Sequence, residues 1–76
     1  MPRYFFHIQD GKNIPDTEGT VLPDNKAARN EAIATGGTIL RDLSSYWDGR
    51  EWRMNVMNEN GATVFRLRFS AEVDPA

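Results

Sequence analysis

Three patterns in the sequence predict an α+β domain of two layers, with one helix on one face of an antiparallel sheet of three or four strands. The first is a pair of alternating apolar and polar runs flanking Asn60-Gly61. The second is a helical stripe from Asn25 to about Leu43. The third is an aromatic stretch from Arg3 to Gln9, placed ahead of the helix. Together they give the element order β-β-α-β-β. They also imply the spatial strand order 2-1-3-4, in which every neighbour is antiparallel.

Arg3 to Gln9, RYFFHIQ, has the composition of a strand. Tyr4, Phe6 and Ile8 share one face, and this more apolar set is assigned to the core. Asp10-Gly11-Lys12-Asn13 ends the strand with turn residues. The next stretch, IPDTEGTVLPD, holds two prolines and a glycine, so at most a short edge strand is predicted around Thr20 to Leu22. Asp24 then precedes a helix-favouring run and suits an N-cap, its carboxylate accepting from amides of the first turn.

In the helix, Ala28, Ala32, Gly36, Ile39 or Leu40, and Leu43 recur at steps of three and four. Gly36-Gly37 interrupts the helix formers at a cost of about 1 kcal/mol per glycine. Two readings follow. Either the helix bends or ends there, with a break after Thr35 and a second turn from Thr38 to Leu43, or a neighbour packs on the bare backbone. Ser44 to Arg50 connects the helix to the hairpin. Asp48-Gly49 marks a turn there, and Tyr46 and Trp47 are assigned to the open end of the core.

The C-terminal hairpin carries the strongest signal. Asn60-Gly61 suits a two-residue loop in which both residues adopt positive φ. That loop sets Val56 opposite Phe65, Met54 opposite Leu67, and Trp52 opposite Phe69, all on one face. The other face carries Met57 with Val64, Asn55 with Arg66, and Arg53 with Arg68. A slip of one residue would undo this sorting. The predicted core is therefore Tyr4, Phe6, Ile8, Trp52, Met54, Val56, Phe65, Leu67 and Phe69 against Ala28, Ala32, Ile39, Leu40 and Leu43. The tail from residue 71 is polar and expected to fray.

Composition narrows the function classes. A 76-residue chain makes one small domain, which buries only about 60% of its unfolded surface. There is no cysteine, hence no disulfide and no thiolate metal site. Eleven acids against nine bases give a net charge of −2, which weighs against a strongly basic nucleic-acid binder. No apolar run approaches the roughly 20 residues of a membrane span. The N-terminus lacks the apolar segment of a signal peptide, so a cytoplasmic setting is expected.

The opening Met1-Pro2-Arg3-Tyr4-Phe5-Phe6-His7 forms a pattern with Pro15-Asp16, Glu18-Gly19 and Leu22-Pro23-Asp24 ahead of an alanine-rich helix. The pattern closes on Val56, Asn58-Glu59, Gly61 and Leu67-Arg68-Phe69. It resembles a family of short bacterial proteins that carry a single domain of unknown function. The resemblance covers nearly the whole chain and implies a bacterial cytoplasmic protein. It supplies no catalytic residues. Gly36-Gly37 departs from the uninterrupted helix expected of that family.

No motif assigns a reaction. His7 is the single histidine, and neither HxxH, HxH nor CxxC occurs, so no metal, cofactor or catalytic group is expected. His7 is read instead as a strand histidine hydrogen-bonded across the sheet or to solvent. Asp10, Asp16, Glu18 and Asp24 lack the calcium-loop ladder and read as turn and cap residues. The feature that stands out is the sheet face away from the helix. It is expected to present Phe5, His7, Arg53, Asn55, Met57, Val64, Arg66 and Arg68. Arginines opposite one another repel, and a bound anion, a carboxylate of a second subunit or solvent would relieve this. The expected role is a non-enzymatic interaction module that self-associates, as a homodimer, through this face or an edge strand. The alternative is single-stranded nucleic acid on the face, with Phe5 stacking and the arginines on phosphates. No membrane partner is expected.

Overall fold

The computed structural model describes residues 1–43, 49–72 and 74–75. Its elements are β1 (Arg3–Gln9), β2 (Asn13–Ile14), β3 (Thr20–Val21), α1 (Asn25–Leu43), β4 (Trp52–Met57) and β5 (Thr63–Phe69). β1 and β4 are the inner strands, β5 is one edge, and β2 and β3 share the other edge alongside β1. All pairings are antiparallel. The fold is the predicted α+β two-layer arrangement.

The first edge departs from expectation. It consists of two short pieces rather than one. Ile14 pairs with Ile8, and Thr20 pairs with Tyr4, so three residues of β1 face five of the opposing segment. The excess loops out at residues 15–19. Pro15 has no N–H to offer a ladder there.

The hairpin keeps its predicted register by an unexpected route. Trp52, Met54 and Val56 stand opposite Phe69, Leu67 and Phe65. The loop, however, has three residues. Asn58 N–H donates to Ala62 O at 2.9 Å, and Gly61 N–H donates to Asn58 O at 3.0 Å. Gly61 alone takes positive φ, at 80°, so Asn60 does not share the left-handed conformation. Asn58 Oδ1 also accepts from the N–H groups of Asn60 and Ala62, which favours the longer loop. A bulge then absorbs the extra residue: Met57 pairs with Thr63, leaving Val64 without a cross-strand partner. The pairing of Met57 with Val64 is thereby corrected.

Helix α1 begins as predicted. Asp24 Oδ1 accepts from Ala27 N–H at 2.8 Å, and Asp24 O accepts from Ala28 N–H at 3.1 Å. The helix runs unbroken through Gly36-Gly37. The bare backbone of Gly36 lets β5 approach, since a Cβ there would lie 2.6 Å from Leu67 Cδ2. Of the two readings of this pair, packing on the backbone is the one observed.

The core is Tyr4, Ala28, Ala32, Leu43, Trp52, Met54 and Val56, flanked by Phe6, Ile8, Leu22, Ile39, Val64, Phe65, Leu67 and Phe69. Trp52 stacks on Phe69 at 4.5 Å. The buried Tyr4 hydroxyl donates to Asn25 Oδ1 at 2.7 Å, tying β1 to the helix start. Leu40 is a correction: it is 40% exposed. At about 100° per residue, Ile39 stays in line with Ala32 whereas Leu40 falls about 80° away. Ala71 N–H donates to Gly49 O at 2.9 Å, so order extends to the first residue of the expected fraying tail. The placement of Tyr46 and Trp47 lies outside the described residues.

Candidate functional site: the open face of the sheet

Alternation along the inner strands builds the open face in cross-strand rows. Phe5, Met57 and Thr63 form one row; His7, Asn55 and Arg66 the next; Gln9, Arg53 and Arg68 the third. The second and third rows floor a groove of about 800 Å³. It is lined by His7, Gln9, Asn13, Arg53, Asn55, Arg66 and Arg68, with Ile14 and Pro15 on its rim. Five of the eight predicted residues meet in this groove. Phe5 and Met57 lie beyond its end, and Val64 packs against the core instead. The bulge accounts for Val64, because it breaks the alternation that had put this side chain on the open face.

His7 and Asp16 lock the rim to the strand. Asp16 N–H donates to His7 Nδ1 at 3.1 Å. The Asp16 carboxylate accepts from the backbone N–H groups of Phe6, Glu18 and Gly19 at 3.0–3.1 Å. The amide of Phe6, which the broken edge leaves without a ladder partner, is satisfied this way. Burial pushes the Asp16 carboxyl up. The bonds from Gly19, Phe6 and Glu18, with the nearby His7, outweigh burial and hold its pKa below the usual value. Since Nδ1 of His7 accepts a proton bond, the neutral ring carries its proton on Nε2. The rings of Phe5 and His7 are nearly parallel, 8° apart, with centroids 6.4 Å apart.

The floor contains an unmet need. Asn55 Oδ1 is buried and has no donor. An acceptor left in this state costs about 1–3 kcal/mol. On either side of it the charges are cationic. Arg53 Nε lies 3.3 Å from Glu51 Oε1, both side chains about half exposed, so this pair is weak. Arg66 and Arg68 have no carboxylate partner among the described residues. A chain of net charge −2 thus gathers three arginines on one face against one glutamate.

Residue matching then places the chain among known proteins. A family model, described as a domain of unknown function (DUF6894), matches residues 3–70. The chain belongs to the DUF6894 family. No curated protein matches it, and no solved structure matches it. The geometry of this DUF6894 domain is therefore the basis for its function. Among the described residues, no helix is long and apolar enough to cross a membrane, and no group of His, Cys, Asp and Glu is arranged to hold a metal ion.

Reading residue types alone missed Gln9, Asn13 and Glu51. Gln9 Nε2 donates to Asn13 Oδ1 at 2.7 Å across the short pairing at the edge. Gln9 was legible, since it alternates with His7. Asn13 sits in a stretch read as a turn, and only its pairing to β1 brings it to the groove. Glu51 lies two residues before Arg53 on the same face.

Proposed function

We propose that this DUF6894 domain is a small non-enzymatic interaction module that pairs with a second copy through the free edge of β5. One observation carries the reading. β5 is a proline-free edge with no second strand beside Thr63 to Arg68 among the described residues, and two apolar side chains of α1, Ile33 at 52% exposure and Leu40 at 40%, stand on its side of the helix. Their placement follows from Gly36, which faces Leu67 of β5. Ile33 and Leu40 lie further round the helix in the same sense, about 80–100° from the buried Ala32. A strand added to β5 would pass beneath them and enlarge a core that is small for its surface. The opposite edge offers no such template, being cut into two-residue pieces by the loop at residues 15–19.

The symmetric pairings that continue the core face set Arg66 opposite Arg66 or Arg68 of the second copy. Like charges directly opposite are unfavourable, so association strengthens with ionic strength. The proposed setting is the cytoplasm, with which a cysteine-free composition is compatible. Sedimentation equilibrium at micromolar concentration tests the pairing at low and moderate salt. The expected result is a dimer that Ile33→Ser with Leu40→Ser converts to a folded monomer. A wild-type monomer under both conditions overturns the proposal.

A further inference from the structure

We infer that the groove on the open face is a binding site for a small multivalent oxyanion, a ligand carrying two or more phosphate or carboxylate charges. It is a different surface from the β5 edge and stands without it. Charge is the first support. The chain has eleven acids and nine bases, but among the described residues none of the acids lines the groove, whereas Arg53, Arg66 and Arg68 do. Arg53 and Arg68 stand directly opposite one another. Arg66 lies two residues from Arg68 on the same strand, about 7 Å along it. Like charges so placed repel. Among the described residues only Arg53 has a carboxylate, that of Glu51, so three positive charges against one negative leave two uncompensated. A monovalent ion does not balance them. The adjoining hollow, which shares Arg53, brings Lys12 and Arg50 to the same end.

The neutral groups of the groove are the second support. Asn13 Oδ1 accepts from Gln9 Nε2 at 2.7 Å, and His7 Nδ1 accepts from Asp16 N–H at 3.1 Å. Asn55 Oδ1 is closed to solvent. These acceptors are used or covered, which leaves the amide N–H groups of Asn13 and Asn55 as donors beside the arginines. Charged and neutral donors without a carboxylate suit an oxyanion, which only accepts.

Size is the third support. About 800 Å³ falls within the range of small-molecule clefts, about 300–1,000 Å³. Towards the hairpin loop the next cross-strand row is Phe5, Met57 and Thr63, which carries no charge. A long polyanion laid along the strands therefore loses its cationic track within two rows, and a compact ligand does not need more.

The test is isothermal titration calorimetry at constant ionic strength, with inorganic tripolyphosphate and citrate as multivalent probes and acetate as the monovalent reference. At least one multivalent probe should bind roughly tenfold or more tighter than acetate. The tighter of the two identifies phosphate or carboxylate as the preferred group. Arg66→Gln and Arg68→Gln lie on the exposed face, keep most of the side-chain stem and should fold as the parent does. Each should weaken the tighter probe by roughly tenfold. Arg29→Gln removes the same charge from the exposed surface of α1, outside the groove, and should leave the affinity unchanged. The Ile33→Ser and Leu40→Ser variant leaves the groove intact and should still bind, even if the edge pairing fails. No multivalent probe binding tighter than acetate overturns the inference. So does Arg29→Gln weakening binding as much as Arg68→Gln, which would make net charge the cause, or binding of polyglutamate or RNA with neither small probe.

Discussion

Two adjacent glycines offer a sharp measurement of how the helix meets the sheet. Gly36 and Gly37 share the interior of α1, and an alanine at either site should gain the same helix propensity, about 1 kcal/mol. What the new methyl group meets differs. At Gly37 nothing lies within 4 Å. Gly37→Ala should therefore keep the full gain and raise the melting temperature by about 4–8 °C, the shift that 1 kcal/mol gives in a domain of this size. At Gly36 the methyl would fall 2.6 Å from Leu67 Cδ2, with Leu67 Cγ at 3.9 Å. Overpacking of this kind costs about 1–3 kcal/mol. Set against the propensity gain, Gly36→Ala should range from neutral to about 2 kcal/mol destabilising. Trimming Leu67 to alanine removes the clash, so in that background Gly36→Ala should recover its stabilising sign. Urea unfolding followed by circular dichroism reads all four proteins of the cycle. If Gly36→Ala stabilises as much as Gly37→Ala, or if its effect is the same with and without Leu67, the close approach of α1 to β5 is refuted.

Three further substitutions test the loops and the cap. Asp24→Ala should lower stability by about 1 kcal/mol through loss of the bond to Ala27 N–H, read by the same unfolding assay. Gly61→Ala places a side chain at φ 80° and should cost about 1–2 kcal/mol while leaving the hairpin register unchanged by NMR. Asp16→Asn should cost about 1–2 kcal/mol at neutral pH, because three backbone N–H groups lose a charged acceptor. Its pH dependence has a definite sign. The folded pKa of Asp16 lies below the ordinary 3.8, so its contribution is present above that value and is lost as pH falls through the folded pKa. The wild type should lose more stability than Asp16→Asn over that acid range, and parallel curves would contradict the bonding described.

The parts of this fold that were legible in the sequence are those where one local rule decides the outcome. Alternation placed Trp52, Met54 and Val56 opposite Phe69, Leu67 and Phe65, and the capping chemistry of Asp24 marked the helix start. Elsewhere two rules competed. Asn60-Gly61 has the residues of a two-residue loop, but Asn58 Oδ1 accepts two amides that only the longer loop presents, and the bulge at Val64 compensates. The glycine pair reads as a helix break until the tertiary contact with Leu67 is known. Leu40 and Ile39 cannot both face the sheet, and the sequence periodicity left that choice open. The arginines and Asn55 of the groove were visible from alternation. The hydrogen bond at His7 Nδ1 was not, since it comes from Asp16, nine residues away across an irregular loop.

β5 joins the groove to the edge proposed for pairing through a single pair of residues, Arg66 and Arg68. One face of the strand, through Leu67, packs against α1, and the other carries Arg66 and Arg68 into the groove. The free edge runs between them. Pairing this edge with a second copy brings arginines of both copies together, and that repulsion, with the bulge at Val64, keeps a proline-free edge from pairing indiscriminately. An anion in the groove would neutralise the same arginines. Each event therefore lowers the cost of the other, and by linkage the effect is reciprocal: a polyanion such as tripolyphosphate should tighten the dimer by the same factor by which dimerisation tightens its binding. Dissociation constants for the dimer, measured with and without inorganic tripolyphosphate at constant ionic strength, should differ in that direction. Arg66→Ala together with Arg68→Ala should strengthen the dimer without the anion and abolish the coupling. A double variant that dimerises more weakly than the parent would mean that these arginines stabilise the edge contact, contrary to the reasoning from like charges.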